Sequence, residues 1–271
     1  MTPFLFSIDV EDPGRPEDPN GSRMPRMVET WLRFLDERGA KATFFVLGES
    51  AERHRSTVAD IAAEGHEIGC HSHRHLSLAE MGEAGFRDDL SRALDALAAA
   101  GAGPVTGYRA PCLSMSAETR WAYAVLGKAG IAYSSSVLPA RNPLHGWRGF
   151  GRTARMLDGV LEMPVTLLPW RLASVPAAAG VYFRTLPWPI LSPGLNRLQR
   201  DGEALLGYFH PYDIDAGEEP FAFPGFSRWS PFNLAMFAGR GRVLARLDCL
   251  LAMGFEMAPY GPEARRLAAE R

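Results

Sequence analysis

The stretches "FLFSIDVED" (4–12) and "ERGAKATFFVLG" (37–48) decide the fold that the sequence predicts. The first is a short apolar run that ends in carboxylates, which is typical of a buried strand whose last residues meet solvent or a ligand. Apolar residues recur at helical spacing over 25–38, and Gly39 ends that helix before the apolar run of a second strand. Together they predict one strand–helix–strand unit.

The same alternation continues through the rest of the chain. Further helices are predicted near 49–64, 78–99, 116–129, 187–201 and 240–253, and further strands in "HEIGCH" (66–71), "VTGYRA" (105–110), "IAYSSS" (131–136), "GVLEMPVTLL" (159–168), "EALLGYF" (203–209) and "GFEMAP" (254–259). Strands that alternate with helices predict a parallel sheet, and this number of units predicts an α/β fold of the distorted (β/α) barrel type.

Two segments interrupt this regular pattern. Residues 138–159 carry Pro, Gly, Arg and aromatic residues without periodicity, and residues 216–238 are rich in Pro, Phe and Gly. Both predict loop insertions over the mouth of the barrel. Because 271 residues suit one elaborated α/β barrel, we expect a single catalytic domain over 1–271.

The composition argues against several classes of protein. Hydrophobic residues make up 46% and charged residues 22%, which suits a large core, and the net charge of −2 gives no overall attraction to nucleic acid or an anionic membrane. The first residues do not resemble a signal peptide, and no apolar run approaches the roughly 20 residues of a membrane span. Three cysteines without C-x-x-C spacing do not suggest a disulfide framework, so we expect a cytoplasmic protein.

Histidines are concentrated in "HEIGCHSHRHL" (66–76), which holds four of the seven in the chain. His71 and His75 are four residues apart, and on a helical turn that spacing puts both imidazoles on one face. Two converging neutral imidazoles are typical of a divalent metal site. Alone, the motif fits a solvated histidine-rich turn equally well.

Carboxylates cluster at the end of the first predicted strand, as Asp9, Glu11 and Asp12. Such a cluster is common in solvated loops and at helix N-termini. A barrel, however, brings its strand ends together at one rim, so these acids and the histidines after the third strand can meet there. One carboxylate and two histidines would suit Zn²⁺ and leave positions open for water and substrate.

Two further strand ends carry residues suited to catalysis. Arg109 lies in "GYRAP" (107–111) and His210 in "YFHPYD" (208–213), and each is followed by a proline within two residues. The proline restricts the turn after the strand. An isolated Arg or His is usually a surface or structural residue, but the strand-end position favours a functional role here.

These motifs resemble those of the polysaccharide deacetylase family, metal-dependent carbohydrate esterases with a distorted (β/α) barrel. The family's elements occur in order as "SIDVED" (7–12), "HSHRH" (71–75), "RAP" (109–111) and "HP" (210–211). The sequence is most similar to the branch associated with exopolysaccharide assembly loci. The resemblance implies hydrolysis of an N-acetyl group on an amino sugar.

The resemblance also implies roles for individual residues. Asp9 matches the general base, Arg109 the residue that orients this base, and His210 the general acid. His71 and His75 match the metal-binding histidines.

The acidic ligand is less directly assigned. Many relatives have adjacent Asp residues where this chain reads Asp9-Val10-Glu11-Asp12. In relatives with a D-x-D pattern the second acid binds the metal, and strand alternation puts Glu11 on the same face as Asp9, which favours Glu11 over Asp12. Zn²⁺ is the expected metal, with Co²⁺, Ni²⁺ or Fe²⁺ as alternatives.

The chain departs from the family pattern in two places. No copy of the Asp-containing element that orients the acidic histidine precedes "YFHP", and Glu162 is the candidate replacement. The family's R-P-P-Y becomes "RAPC" (109–112), so the N–H of Cys112, after Pro111, is the implied oxyanion donor. Tyr212 is the aromatic residue best placed to stack on a sugar.

The sequence therefore predicts a metal-dependent hydrolase that removes N-acetyl groups from an amino-sugar glycan or glycan precursor. Its expected partners are a divalent metal and an N-acetylated sugar, without nucleic acid. One alternative is a hydrolase of a formyl-sugar or cyclic ureide on the same fold. Another is a glycan-binding pseudoenzyme, against which the presence of the catalytic and metal-binding residues argues.

Overall fold

A computed structural model describes residues 1–12, 23–140, 146–168, 175–223 and 225–270. Within these ranges the strands are β1 (Thr2–Val10), β2 (Thr43–Val46), β3 (Glu67–Cys70), β4 (Gly107–Tyr108), β5 (Tyr133–Ser134), β6 (Arg155–Leu157), β7 (Val160–Glu162), β8 (Leu205–Phe209) and β9 (Phe255–Ala258). The helices are α1 (Met24–Asp36), α2 (Gly48–Arg53), α3 (Arg55–Ala63), α4 (Leu78–Ala99), α5 (Ala122–Lys128), α6 (Gly180–Thr185), α7 (Trp188–Asp201), α8 (Pro231–Phe237), α9 (Val243–Ala252) and α10 (Tyr260–Ala269).

All strands join one sheet in the order β6-β7-β5-β4-β3-β2-β1-β8, with β9 also paired to β1. Every pairing is parallel except β6 with β7. The segment after β7 links the two ends of the sheet, because Val165 N–H donates to Val137 O and Thr166 N–H donates to Leu206 O. The predicted α/β fold with a distorted barrel is confirmed.

The central strand β1 is buried on both faces. Phe4, Phe6 and Ile8 belong to the large core shared with the surrounding helices, and the ring centroid of Phe6 lies 5.5 Å from that of Trp31 on α1. Leu5 belongs to a second core in the barrel interior. Because side chains alternate along a strand, Asp9 continues the inward-facing row of Leu5 towards the carboxyl end. The alternation thus carries a catalytic candidate to the rim.

Pairing along β1 joins the two halves of the chain. Its first residues pair with β9 and its last residues with β2, while β8 pairs over Phe4–Ile8. Strands from both halves therefore share one sheet.

Several predicted boundaries were wrong. The helix expected near 49–64 is two helices that meet at His54, and the helix expected from 116 starts at Ala122. The segment 138–159 contains β6, while its residues 141–145 lie outside the described part of the chain. The segment 216–238 contains α8, and its residue 224 is likewise outside. Helices α6 and α10 had no counterpart among the predicted elements.

Candidate metal and catalytic centre

The predicted site residues gather where parallel strands end. Asp9 is the last residue but one of β1, and Glu11 directly follows the strand. His71 follows β3, Arg109 follows β4 and His210 follows β8. These four strands are close neighbours in the sheet order β4-β3-β2-β1-β8. Carboxyl ends of parallel barrel strands form one rim, so the fold itself brings the four motifs together.

The carboxylate of Glu11 faces three imidazoles. Its Oε2 lies 2.6 Å from Nε2 of His75 and 3.5 Å from Nε2 of His71, and its Oε1 lies 3.6 Å from Nε2 of His210. Burial alone would raise the pKa of Glu11, but the charges of His75 and His210 hold it well below its usual range. Glu11 is therefore ionised at neutral pH.

Glu11, His71 and His75 fit a divalent metal. One ligand atom from each lies within 4.8 Å of the other two. Oε2 of Glu11 is buried, and despite the short contact with His75, no donor among the described residues reaches it in hydrogen-bond geometry. Such a buried carboxylate needs positive charge beside it, which either protonated imidazoles or a divalent cation bound between the three groups can supply. Two imidazoles and one carboxylate form a known ligand set for catalytic zinc.

Asp12 lies outside this group, although it was the alternative acidic ligand. Burial lowers the pKa of His54, and the charge of Asp12 opposes that shift, so Asp12 acts on a different histidine. The backbone explains the difference between the two acids. Glu11 N–H donates to Asp9 O across a tight turn just after β1, and the Glu11 side chain is directed to the rim.

The histidine segment is a loop, so the prediction of a helical turn was wrong. His71 follows β3, α4 starts only at Leu78, and Ser72 has a left-handed φ of 67°. The rings of His71 and His75 still lie close, with centroids 5.4 Å apart. Nδ1 of His71 lies 2.8 Å from Arg109 O; as an N–H donor there, it would leave Nε2 free for a metal.

A buried carboxylate on α4 holds this loop. Oδ2 of Asp89 accepts from the backbone N–H of His73 at 2.6 Å, and Oδ1 accepts from Arg74 N–H and Nε. The ring of His73 is buried beside Gly48, away from Glu11. Asp89 was not among the predicted site residues, although its position three residues after Phe86 and four before Ala93 puts it on the buried face of α4, unlike the exposed Asp88.

The base candidate Asp9 is fixed by a buried arginine. Nη1 of Arg109 donates to Asp9 Oδ1 at 2.9 Å and to Ser7 Oγ at 2.7 Å, and Nη2 donates to Tyr260 OH at 3.2 Å. Nε donates to Ser135 O at 2.8 Å. The guanidinium carbon lies 4.4 Å from the ring centroid of Phe45. This network supports the predicted pairing of Arg109 with Asp9 and leaves the arginine a single orientation.

The acid candidate His210 is held by Asp213. Oδ2 of Asp213 lies 3.0 Å from Nδ1 of His210 and accepts from its backbone N–H at 2.8 Å, and Asp213 also pairs with Arg184 on α6. Burial alone would lower the pKa of His210, but the hydrogen bond to Asp213 and the charges of Glu11, Asp213 and Asp9 raise it to about 9. His210 is therefore protonated at neutral pH, with Nε2 directed to the rim.

The candidate replacement Glu162 has another role. Its Oε1 accepts from the backbone N–H groups of Ser136 and Val137 at 2.8 Å, and Oε2 accepts from Tyr123 OH. Glu162 therefore shapes the backbone after β5 and does not contact His210. The residue that orients His210 comes three positions after it, in "HPYD" (210–213), and not before it as predicted. The i, i+3 spacing from the histidine is the signal that could have found it.

Tyr212 does not have the exposed ring expected of a sugar platform. It is only 7% exposed, and it stacks on His210 with centroids 4.6 Å apart and an interplanar angle of 8°. Its hydroxyl donates to Glu11 Oε1 at 3.1 Å. Tyr212 therefore links the acid candidate to the candidate metal ligand.

The turn that follows Arg109 is strained. Pro111–Leu113 forms a 3-10 turn in which Cys112 and Leu113 both have left-handed φ values, 55° and 52°. The first bond of the turn joins Leu113 N–H to Ala110 O, so the N–H of Cys112 has no acceptor within the turn. Partial desolvation and the charges of Glu11 and Glu80 raise the pKa of the Cys112 thiol to about 11, which makes it a poor nucleophile.

Fold and site together define an α/β barrel hydrolase scaffold with a candidate His₂–carboxylate metal centre. The family model for "Polysaccharide deacetylase" matches residues 18–131, and that for "Domain of unknown function (DUF3473)" matches residues 135–258. Residues 18–131 thus match the polysaccharide deacetylase family, and this pair of matches confirms the resemblance to its exopolysaccharide-associated branch.

Individual relatives agree with that assignment. The chain is 45% identical over 56 residues to a peptidoglycan-N-acetylglucosamine deacetylase of Bacillus cereus (21% of this chain, 20% of that protein). It is 35% identical over 89 residues to a chitin deacetylase of a Pestalotiopsis species (32% of this chain, 30% of that protein). These matches span less than a third of either relative.

A solved structure shows the same fold along almost the whole chain. It is a protein assigned as a polysaccharide deacetylase from Mycobacterium smegmatis, with a TM-score of 0.64 and 24% identity. The match covers 99% of this chain and 90% of that one.

Proposed function

We propose that the protein is a metal-dependent hydrolase that removes N-acetyl groups from an amino-sugar glycan or glycan precursor. One observation carries the proposal: the buried Glu11 oxygen without a hydrogen-bond donor faces two imidazoles, on the rim that also holds Asp9 and a protonated His210. Amide hydrolysis needs an activated water, a stabilised oxyanion and a proton for the leaving amine. This rim has a candidate group for each.

Glu11, His71 and His75 are the residues that would hold the metal, with Zn²⁺ preferred to Co²⁺, Ni²⁺ or Fe²⁺. A bound divalent ion would lower the pKa of water and polarise the acetyl oxygen. Asp9 takes the proton of the attacking water, and the ion pair with Arg109 holds this buried carboxylate in one orientation.

The acidic half of the reaction belongs to His210. Its protonated Nε2 gives a proton to the leaving nitrogen, because expulsion of an unprotonated amide anion is prohibitive. Asp213 holds Nδ1 and keeps the ring directed at the rim. The N–H of Cys112, in the left-handed turn after Pro111, is the proposed donor to the developing oxyanion.

The proposal also includes the class of substrate and the compartment in which the protein acts. The DUF3473 match supports a substrate from exopolysaccharide biosynthesis, and we keep the expectation of cytoplasmic action. The similarity to a peptidoglycan-N-acetylglucosamine deacetylase and to a chitin deacetylase supports an N-acetylglucosamine-containing substrate class. Cell fractionation followed by glycan analysis of a deletion strain tests both points.

Acetate release tests the reaction itself. The zinc-loaded protein is incubated with N-acetylated amino-sugar oligomers, and with formylated sugars and cyclic ureides as alternative substrates. We expect acetate from the first class, and a fall on the order of 10³-fold in Asp9→Asn and His75→Ala, with Asp88→Asn as an exposed control. Wild-type turnover in both site variants would refute the mechanism. Glycan binding without any product would instead indicate a pseudoenzyme.

A further inference from the structure

The two oxygens of the Glu11 carboxylate have different surroundings. Oε2 lies 2.6 Å from Nε2 of His75 and 3.5 Å from Nε2 of His71, and no donor among the described residues reaches it in hydrogen-bond geometry. Oε1 accepts a hydrogen bond from the hydroxyl of Tyr212 at 3.1 Å and lies 3.6 Å from Nε2 of His210. The two candidate metal-binding imidazoles thus face one oxygen, and the hydroxyl of Tyr212 occupies the other.

The contact between Tyr212 and Glu11 has one direction. An ionised carboxylate has only acceptor oxygens, so the phenol hydroxyl is the donor. A hydrogen bond to a charged acceptor is roughly twice as strong as one between neutral groups. Both side chains are largely buried, since Tyr212 is 7% and Glu11 9% exposed. Water therefore competes only weakly with the hydroxyl for Oε1.

Packing around the ring of Tyr212 fixes the direction of its hydroxyl. The ring stacks on that of His210 with centroids 4.6 Å apart, and the ring of Phe223 meets it edge-on at 5.7 Å. The guanidinium carbon of Arg240 lies 5.4 Å from the Tyr212 centroid, and Arg240 is itself buried and donates to Glu218 at 2.7 Å. The hydrogen bond to Glu11 therefore comes from a side chain with little freedom to move.

The turn that carries Tyr212 leaves the strand next to β1. In the register of β8 with β1, Phe209 pairs with Ile8, so the segments that follow the two strands leave the sheet side by side. The 3-10 turn Pro211–Ile214 is closed by Asp213, whose N–H donates to His210 O and whose Oδ2 accepts from His210 N–H. Strand register and this turn together set the distance between the hydroxyl and the carboxylate.

We infer that Tyr212 is a positioning residue that makes Glu11 a one-oxygen metal ligand. Its hydroxyl holds Oε1 and leaves Oε2 as the oxygen that faces His71 and His75. A carboxylate can bind a cation through one oxygen or through both, and a hydrogen bond to one oxygen favours the first mode. The inference rests on the proposed function, because it concerns the same metal site.

The number of protein ligands decides how many positions remain for the reaction. A catalytic zinc has three protein ligands and keeps a further position for water or substrate. If both oxygens of Glu11 were ligands, one position fewer would remain for the attacking water and the acetyl oxygen. By holding Oε1, Tyr212 keeps that position open without touching the substrate.

Tyr212→Phe tests the inference, because it removes the hydroxyl and keeps the ring that packs against His210 and Phe223. Co²⁺ is bound in place of zinc, and its visible absorption is measured, which weakens as the number of ligands on Co²⁺ increases. We expect weaker absorption in Tyr212→Phe than in the wild type, because Oε1 becomes a second ligand atom. Zinc binding, measured by competition with a chelator, should weaken about tenfold, because the hydrogen bond that orients the carboxylate is lost.

Tyr123→Phe is the matched control. The hydroxyl of Tyr123 is buried and donates to the buried Glu162 at 3.1 Å, the same distance as between Tyr212 and Glu11, but Glu162 is outside the candidate metal group. We expect Tyr123→Phe to keep the wild-type absorption and zinc affinity. Wild-type absorption in Tyr212→Phe would overturn the inference even with weaker zinc binding, because the hydroxyl would then not select the oxygen. Equal losses of absorption in the two variants would also overturn it.

Infrared spectroscopy of the wild type gives a second test, which does not depend on the folding of a variant. The difference between the zinc-loaded and the metal-free protein contains the two C–O stretching bands of the bound carboxylate, which lie further apart when one oxygen binds than when both do. We expect the wide separation, and a narrow one would overturn the inference. A wild type that binds neither zinc nor Co²⁺ would refute the proposed function as well, whereas the other contrary results refute only the role of Tyr212.

Discussion

Asp9 and His210 lie on the same rim, but they are held in opposite ways. The partner of Asp9 is Arg109, one hundred residues away, which is fixed in turn by groups from β1, the segment after β5 and α10. The partner of His210 is Asp213, three residues away on the same turn, with Arg184 behind it. The base therefore depends on the assembled barrel, and the acid depends mainly on a local turn.

This contrast predicts that the base side is the less tolerant of change. Arg109→Lys keeps the charge but loses the planar fork that contacts Asp9, Ser7, Ser135 and Tyr260 together. We expect kcat to fall on the order of 10³-fold, measured as acetate release, with a lower unfolding free energy in urea. Arg120→Lys, at an exposed position, serves as the control. Near-normal turnover in Arg109→Lys would show that one charge suffices.

A change beside His210 should lower kcat less than the change beside Asp9. Asp213→Asn removes the carboxylate that holds Nδ1 of His210, so we expect kcat to fall on the order of 10²-fold. In the metal-free protein, the pKa of His210 should drop from about 9, because its main stabilising bond and a nearby charge are lost. NMR titration of the His210 ring measures this pKa. An unchanged value would mean that Glu11 and Asp9 alone keep the ring protonated.

The histidine loop gives a smaller and separable effect. Asp89→Asn weakens the acceptors that hold His73 N–H and Arg74, so the loop that carries His71 and His75 becomes less ordered. We expect about tenfold weaker zinc binding by competition with a chelator, with His71 and His75 themselves intact. The neighbouring Asp88→Asn is the matched control, since Asp88 is exposed. Equal zinc affinity in both variants would contradict a positioning role for Asp89.

The smallest expected effect is on stability in acid, and it comes from His66, a residue away from the rim. His66 accepts from Ala42 N–H, and burial, followed by the charge of Lys41, lowers its pKa to about 4. A lowered folded-state pKa contributes stability above the unfolded value of about 6.5, and this contribution is lost as pH falls towards 4. The unfolding free energy of the wild type falls between pH 7 and pH 5. We expect this fall to be about 1 to 2 kcal/mol smaller in His66→Gln, measured by urea unfolding. Parallel losses in the two proteins would rule out His66 as a source.

The first half of the chain was the easier to predict. Its strands and helices follow regular periodicity, and the rim residues follow from strand ends that a parallel barrel must bring together. His71 and His75 lie on a loop and not on the assumed helical turn. Their predicted convergence still holds, because the loop places both rings beside Glu11.

In the second half of the chain, several roles depend on contacts between distant segments, which sequence patterns do not predict. Tyr212 has the composition of a sugar platform, but packing against His210 and Phe223 buries it. Glu162 is a carboxylate whose partners are the backbone N–H groups of Ser136 and Val137 in another segment, so its role is not visible from spacing. Asp213 was the exception: its spacing from His210 was available in the sequence and was overlooked.

Metal stoichiometry tests the central claim most directly. Purified wild-type protein, Glu11→Gln and Asp12→Asn are dialysed against zinc, and bound metal is counted per chain by elemental analysis. The account predicts one tightly bound zinc in the wild type, the same in Asp12→Asn, and loss of that zinc in Glu11→Gln. A wild type that binds no metal, or a site that survives Glu11→Gln and is lost in Asp12→Asn, would contradict it.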